Sequence, residues 1–275
     1  MNYVKELQLK SIIRGALNED IGRKDITTEA IIPKNKFVKA VLVAKEDCVV
    51  CGLHIAGLVF KLKDKNIKFK PQVKDGQNLT KGKVLAEVLG RAQSILIAER
   101  VALNFVSLLS GIATSTREYV ERVKPYKVKI MDTRKTIPGL RELEKYAVRI
   151  GGGYNHRMRL DEIILIKDNH WKVTGSYLNL PKFTENYQVE LEVKNLKEFI
   201  QALKLKPDII MLDNMSIKDM RKAVKIRNYR LPKLEASGGI TLKNVKKIAS
   251  TGVDMISIGA LTHSVKSVDI SLEIL

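Results

Sequence analysis

Side chains able to handle charge recur where short β-branched runs end. Asp132-Thr133-Arg134-Lys135 follows VKIM, Lys167-Asp168-Asn169-His170 follows IILI, Glu192 lies inside VELEV, and Asp213-Asn214 closes DIIMLD. Between the first two runs, GGGYNHR (151–157) supplies His156 and Arg157. Two later runs end in glycine, at Ser237-Gly238-Gly239 and at Gly259-Ala260. Arg and Lys hold carboxylates and phosphates through charge-assisted hydrogen bonds. Glycines let the backbone approach an anion, and a following helix N-terminus adds free N–H groups and a favourable dipole. Cations early, two carboxylates midway and glycine turns at the end point to an anion site with a phosphate cradle at the glycine turns.

Each of these signals has a plainer reading. Arg134-Lys135 suits a solvated turn, and glycine between strand and helix often serves geometry alone. Glu192 and Asp213 are able to pair with nearby lysines. Lys167 follows IILI directly, so burial would disfavour its charge unless an anion or carboxylate partners it. Cys48 and Cys51 form a CxxC with His54 nearby, but no second pair completes a tetrahedral metal site, and VVCG reads as strand into turn.

The elements that must carry these residues are legible. From about residue 126 a unit repeats: apolar run, polar cluster, helix. The runs are VKIMD (128–132), IILIK (163–167), VELEV (189–193), DIIMLD (208–213), LEAS (234–237) and MISIG (255–259). Asn195 with Glu198 and Ser216 with Asp219 have capping-box spacing, and a further helix opens near Thr241 and stops at Gly252. Strands alternating with helices imply a parallel sheet, whose buried strands should be nearly all apolar. An incomplete β/α barrel fits best, with an open doubly wound sheet as the alternative. In a barrel the site lies at the C-terminal strand ends, where these residues fall.

The first hundred residues read differently. Leu9, Ile12, Ile13, Ala16 and Leu17 predict an amphipathic helix ending near Gly22. Short β-like runs come next, over 38–52 and 73–90. The second resembles a biotinyl-carrier hairpin, without the lysine turn such carriers modify. From Ala92, the spacing of Ile95, Ala98, Ala102, Phe105 and Leu109 predicts a long helix with Gly111 as its C-cap, bridging into a second domain.

Composition narrows the class. The 275 residues hold 49 Lys+Arg against 30 Asp+Glu, a net charge of +19, with 45% hydrophobic residues. Such a chain can bury a core and is not disordered by composition. No uncharged apolar run approaches the roughly 18 residues of a membrane span. The start, MNYVKELQLKS, has no secretory apolar stretch. Two cysteines make no disulfide framework, so the cytoplasm is the default expectation. The lysines are spread along the chain, with no basic tail and no interleaved aromatics, so neither nucleic acid nor membrane is expected as a partner.

DTRKTIPGLRELEKYAVRIGGGYNHR (132–157), LIKDNH (165–170), VELEV, IIMLDN (209–214), LEASGGIT (234–241) and ISIGALTHS (256–264) closely resemble the quinolinate phosphoribosyltransferases. LNEDIGRKDITTEAIIP (17–33) and AERVALNFVSLLSGIAT (98–114) extend the resemblance end to end. The resemblance implies an N-terminal α/β sandwich domain (1–112, with 265–275 packing back on it) and an open α/β barrel (113–264). It also implies a homodimer or larger assembly acting on quinolinate and phosphoribosyl pyrophosphate in NAD synthesis. Position by position, Arg134, His156 and Arg157 are similar to the residues that hold the two carboxylates of quinolinate. Lys135 and Lys167 resemble the lysines near carboxylate and pyrophosphate, and Glu192 and Asp213 the acidic pair facing ribose and Mg²⁺. Ser237, Gly238, Gly239 and the turn Ser257, Ile258, Gly259, Ala260 resemble the 5-phosphate cradle. Arg100 matches an arginine that reaches into the neighbouring subunit's site. Thr133, Asn169 and His170, in the same strand-end segments, join the substrate-binding set. Trp171-Lys172-Val173 depart from the small-residue run of the family.

The implied chemistry agrees with the residues. A dicarboxylate and a polyanionic pyrophosphate require Arg and Lys. Loss of pyrophosphate leaves positive charge on the ribose, which carboxylates and Mg²⁺ on the leaving group stabilise. Alkylated at nitrogen, the pyridine ring becomes an electron sink, and the adjacent carboxylate can depart as CO2. No Ser-His-Asp-type general base is needed or visible. Two other classes stay open on residues alone, a Schiff-base aldolase or decarboxylase using Lys167 and a nucleic-acid binder, while the resemblance also extends to molybdate-uptake relatives that share the barrel.

Overall fold

The computed structural model describes residues 6–175, 186–227 and 231–275. They divide into two units. One comprises the chain up to Ser115 with Ile137–Gly151 and Val265–Leu275; the other comprises Thr116–Thr136 and Gly152–Ser264. The segment 137–151 groups with the N-terminal part, as the C-terminal segment does.

In the first unit, α1 (Glu6–Ile21) buries Leu9, Ile13 and Leu17, one turn apart, on a single stripe. An antiparallel sheet is built from β1 (Phe37–Ala44), β3 (Lys68–Pro71), β5 (Val84–Arg91) and the C-terminal β12 (Ile270–Ile274), in the order β12-β1-β5-β3. The hairpin expected over 73–90 does not form. Its first half, β4 (Asn78–Leu79), pairs with β2 (Cys48–Val49), while β5 pairs with β1 and β3. Buried side chains of α3 (Leu53–Lys63), among them Val59 and Phe60, contribute to the core. The Asp75 carboxylate accepts from the Gly52 and Leu53 N–H groups at the start of α3 and from the Tyr146 hydroxyl of α5 (Arg141–Ile150).

The helix α4 (Ala92–Val123) runs past Gly111, so the expected C-cap is wrong. Gly111 instead marks a close crossing: a Cβ there would lie 2.3 Å from the Lys266 carbonyl oxygen. The Val268 N–H donates to the Ser107 carbonyl at 3.1 Å, and the chain continues into β12. Glycine is required by approach here, not by helix termination. By length and composition α4 is the one described helix able to cross a membrane, yet 61% of its apolar window is buried inside the protein. Its apolarity serves a core.

The second unit is a parallel sheet of β6 (Lys129–Met131), β7 (Ile164–Ile166), β8 (Val189–Val193), β9 (Ile209–Asp213), β10 (Lys233–Ser237) and β11 (Met255–Ser257). Its order is β6-β11-β10-β9-β8-β7. All six strands coincide with the apolar runs of the sequence. Among the described residues β6 and β7 do not pair, which leaves the α/β barrel open on that side; Tyr154 bridges to Met131 beside the gap. The caps read from sequence hold: Asn195 accepts from Glu198 N–H ahead of α7 (Leu196–Lys204), and Ser216 from Asp219 N–H ahead of α8 (Ile217–Ile226).

Strand side chains alternate with period two. One set (Leu191, Ile210, Leu212, Leu234, Ala236, Ile256) is apolar and fully buried. The other set contains Glu190, Glu192, Met211, Asp213, Glu235, Ser237, Met255 and Ser257. Met131, Ile209 and Met255 pack together as an apolar plug. The expectation of nearly all-apolar strands fails on this second face, which is where the chemistry lies.

Replacing Gly111 by Ala should destabilise the first unit through overpacking by about 1–3 kcal/mol. Thermal unfolding followed by circular dichroism checks this, and an unchanged midpoint would show that the Lys266 crossing yields freely.

Candidate active site

A cavity of about 830 Å³ lies at the C-terminal strand ends of the second unit, a size within the range of small-molecule sites. Arg134, Lys135, His156, Arg157, Lys167, Glu192 and Asp213 all line it, with Thr133 and both glycine turns.

Asp132 positions the cationic wall. It follows β6, is fully buried, and accepts from the His156 N–H at 2.9 Å and the Asn155 amide at 2.5 Å. Ahead of them, Tyr154 exchanges backbone hydrogen bonds with the β6 edge through Ile130 and Asp132. Thus the glycine-rich 151–153 stretch feeds an extended segment that delivers His156 and Arg157 to the cavity. Arg157 is buried, and its guanidinium donates to the Ile163 carbonyl at 2.8 Å. Burial, then the neighbouring Arg134 charge, pull its pKa down, while Glu190 and Glu162 oppose the shift. Two guanidinium groups held close in one cavity call for an anion between them.

Lys135 belongs to the same wall. Its N–H donates to the Thr133 hydroxyl, and its carbonyl accepts from Thr262 at 2.7 Å. A Cβ on Gly259 would sit 3.2 Å from Lys135 Cδ, so the last glycine turn packs against this lysine. Gly238, at φ +91°, leaves room for Asn214, whose Oδ1 would lie 2.3 Å from an added Cβ. The helices after the two glycine turns are short, α9 (Val245–Ala249) and α10 (Ala260–His263). The helix-dipole argument for a phosphate cradle therefore fails there. What remains is the loop backbone itself, whose glycines permit close approach.

Lys167 is half exposed, not buried as its place after IILI suggested. It is the N-cap of α6 (Asp168–Thr174), one step beyond the strand, with Nζ 4.0 Å from Glu192 Oε2. The burial that a Schiff-base lysine draws on is absent. Asn169 and His170 do not line the cavity; His170 Nδ1 accepts from the Lys167 N–H and closes the first turn of α6. Arg100 is exposed on α4 in the other unit and is not among the lining residues. Cys48 and Cys51 are free and buried, their thiols pushed up by burial, Cys48 to about 11, so neither is a ready thiolate.

For a metal, Glu192 and Asp213 offer the suitable donor set. Burial, then the nearby Asp213 charge, raise the Glu192 pKa. Two crowded carboxylates at the rim of a polyanion cavity suit a hard divalent cation.

Sequence reading passed over two acids. Glu190 and Glu235 are fully buried, and Glu235 lines the cavity beside Leu165 and Met211. His156 Nε2 lies 3.0 Å from Glu190 Oε2 and 3.6 Å from Glu235 Oε2. Its Nδ1 accepts from the Arg157 N–H at 2.8 Å, which assigns the ring proton to Nε2. Although the three groups are close enough to surround an ion, an Nε2 that carries the ring proton cannot ligate one. Burial and the Glu190 charge push Glu235 up to about 8, with His156 and the Ser257 hydroxyl pulling the other way.

The chain is similar to known proteins along nearly its whole length. Residues 25–110 match the N-terminal domain model of quinolinate phosphoribosyl transferase, and residues 112–273 match its C-terminal domain model. A probable carboxylating nicotinate-nucleotide pyrophosphorylase of Methanocaldococcus jannaschii is 44% identical over 98% of this chain and 98% of its own length. Its counterpart in Bacillus subtilis is 43% identical over 98% and 95%. The crystal structure of nicotinate-nucleotide pyrophosphorylase from Ehrlichia chaffeensis superposes with a TM-score of 0.93 at 41% identity, covering 99% of both chains.

The protonated carboxyl should show in stability. In the unfolded chain Glu235 loses its proton near 4.5; in the fold it keeps it to about 8. Between these values the folded state binds the extra proton, so its contribution to stability falls as pH rises from 4.5 through 8. The melting temperature should therefore be higher at about pH 5 than at about pH 8, with a smaller difference in Glu235→Gln. An equal slope in both proteins would assign the proton elsewhere.

Proposed function

This chain belongs to the quinolinate phosphoribosyltransferase family, and we propose that its cavity joins quinolinate to phosphoribosyl pyrophosphate. The products are nicotinate mononucleotide, pyrophosphate and CO2, a step of NAD biosynthesis. The observation that carries the reading is the convergence of Arg134 and Arg157 in one cavity, with Lys135 and Lys167 beside them. That is more fixed positive charge than a neutral or monoanionic reactant needs.

Arg134 and Arg157 take the two carboxylates of quinolinate, the buried Arg157 being oriented by the Ile163 carbonyl. Lys135, packed against the Gly259 turn, neutralises phosphate there, and the Ser237–Gly239 turn offers backbone N–H groups to the same group. Lys167 stands beside Glu192 and screens the two acids from the approaching anions. As pyrophosphate leaves C1 of the ribose, positive charge develops at C1 and the ring oxygen, and Glu192 and Asp213 stabilise it. Held by those two carboxylates, Mg²⁺ would supply charge neutralisation on the leaving group. His156, tied at Nδ1 to Arg157 N–H and at Nε2 to Glu190, fixes the geometry of the cationic wall and is a weaker candidate for direct contact with a carboxylate.

We further propose that sites are shared within a homodimer. Arg100 is exposed on α4, with the partly buried apolar Leu96 and Ile97 close to it along the helix. A cation beside a part-exposed apolar strip suits a helix that seats against a second copy and completes its anion site. Both cysteines being free is consistent with the cytoplasm.

Incubation with quinolinate, phosphoribosyl pyrophosphate and Mg²⁺ should release CO2 and pyrophosphate. Nicotinate, lacking the second carboxylate, should react at least about a hundredfold more poorly, since one guanidinium then meets no carboxylate of the ligand. Comparable turnover of both acids would overturn the dicarboxylate assignment.

Arg100→Ala and Asp213→Ala should each be nearly inactive alone. After dissociation and reassociation, random pairing makes about half the dimers mixed. Each mixed dimer holds one intact site, so about a quarter of wild-type activity should return. No recovery, with exchange verified by mass, would place Arg100 in its own chain's service.

A further inference from the structure

Resting on the reaction just proposed, the chemistry leaves one proton unaccounted for. When the C2–carboxylate bond breaks and CO2 departs, the bonding pair stays on C2 of the pyridinium ring, and C2 must gain a proton before the product can form. We propose that the Glu235 carboxyl, on the floor of the cavity beside His156, supplies that proton.

Proton counting at the floor is the first argument. Glu190 and Glu235 are both fully buried, and among the described residues the ring N–H beside them is that of His156. The nearer oxygen, at 3.0 Å, belongs to Glu190; Glu235 is left at 3.6 Å, beyond a good hydrogen bond. Apart from the Ser257 hydroxyl, the Glu235 oxygens lack a well-aligned donor; a buried carboxylate so placed is costly, and taking up a proton removes the charge. The second argument is position. Glu235 lines the cavity with Leu165 and Met211, while Met131, Ile209 and Met255 form the barrel's apolar plug. Both Glu235 oxygens are closed off from solvent at that apolar floor, so a pyridine ring seated on it would come against this acid, whereas Lys135 and Lys167 stand with the anion-binding groups.

The groups that set the protonation of Glu235 come from every neighbouring element: Glu190 on β8, His156 after the Tyr154 segment, Asp132 after β6 and Ser257 on β11. Arg157 interacts electrostatically with Glu190. Burial and the Glu190 charge dominate, and Glu235 stays protonated up to about 8. The step balances. The C2–carboxylate bond cleaves heterolytically, CO2 leaves, the Glu235 O–H proton goes to C2, and the resulting carboxylate is reprotonated from solvent.

Glu235→Gln keeps the shape and removes the transferable proton. In single turnovers with quinolinate, phosphoribosyl pyrophosphate and Mg²⁺, pyrophosphate and nicotinate mononucleotide are measured separately. In the variant, mononucleotide formation should fall by at least about a hundredfold, the scale of general acid catalysis, while pyrophosphate release falls far less. The dicarboxylate mononucleotide should accumulate, and the wild-type fall in rate above about pH 8 should disappear. If pyrophosphate and mononucleotide decline together, or if the variant keeps the wild-type rate and alkaline limb, Glu235 is not the acid. Thermal melting of the same sample identifies a parallel decline caused by unfolding, and Glu235→Asp, which restores a shorter carboxyl, should then recover the mononucleotide step selectively if the proposal holds; failure to do so overturns it. Should the wild-type protein release neither product from quinolinate, the proposed reaction itself fails, an outcome distinct from all of these.

Discussion

The site depends on one buried carboxylate. Asp132 sits at the end of β6 and accepts from both the backbone and the side chain of the 155–156 segment. A buried charge without donors would destabilise the barrel by several kcal/mol, so the segment and the aspartate secure each other. Through that tie, His156 and Arg157 reach the cavity, although their loop lies outside any strand or helix. Arg157 then meets Arg134, and His156 meets Glu190 and Glu235, so one loop serves both halves of the chemistry.

Much of this was legible because strand ends are marked twice, once by the loss of apolar character and once by the charged or glycine residues that come next. The six apolar runs became the six parallel strands, and Arg134, Lys135 and Lys167 just beyond them, with Glu192 and Asp213 near strand ends, line the cavity. The errors have physical reasons. Gly111 read as a helix stop, because sequence shows its permissive backbone but not the Lys266 carbonyl that needs the space. Lys167 read as buried, because a single residue separates the interior of β7 from the exposed N-cap of α6. The glycine turns read as helix-borne anion sites, while the helices after them are too short to carry much dipole.

Glu190 and Glu235 were missed for a more instructive reason. A rule that buried parallel strands are apolar treats both faces alike, yet the two faces of a barrel strand meet different surroundings. VELEV carries glutamate at alternate positions, and LEA places one between two apolar residues. With period two, those acids share a face, and the apolar residues between them share the other. Acids confined to one face of an otherwise apolar strand signal an interior built for chemistry. That pattern was present in the sequence and needed no structure to read.

The balance of charge in the cavity is set by the order of events there. Binding two polyanions requires a cationic wall and a floor that adds no negative charge. Expulsion of pyrophosphate requires carboxylates near the ribose, which places Glu192 and Asp213 at the rim, with the Lys167 cation beside them. A pyridinium ring above the floor reverses the demand, since a positive ring favours an anion beneath it. A carboxyl that is neutral while the anions bind, and ionised once the ring has given up CO2, meets both conditions with one residue. The apolar plug of Met131, Ile209 and Met255 helps to hold that balance, because a low-dielectric floor is what keeps Glu235 protonated until a strong base forms above it.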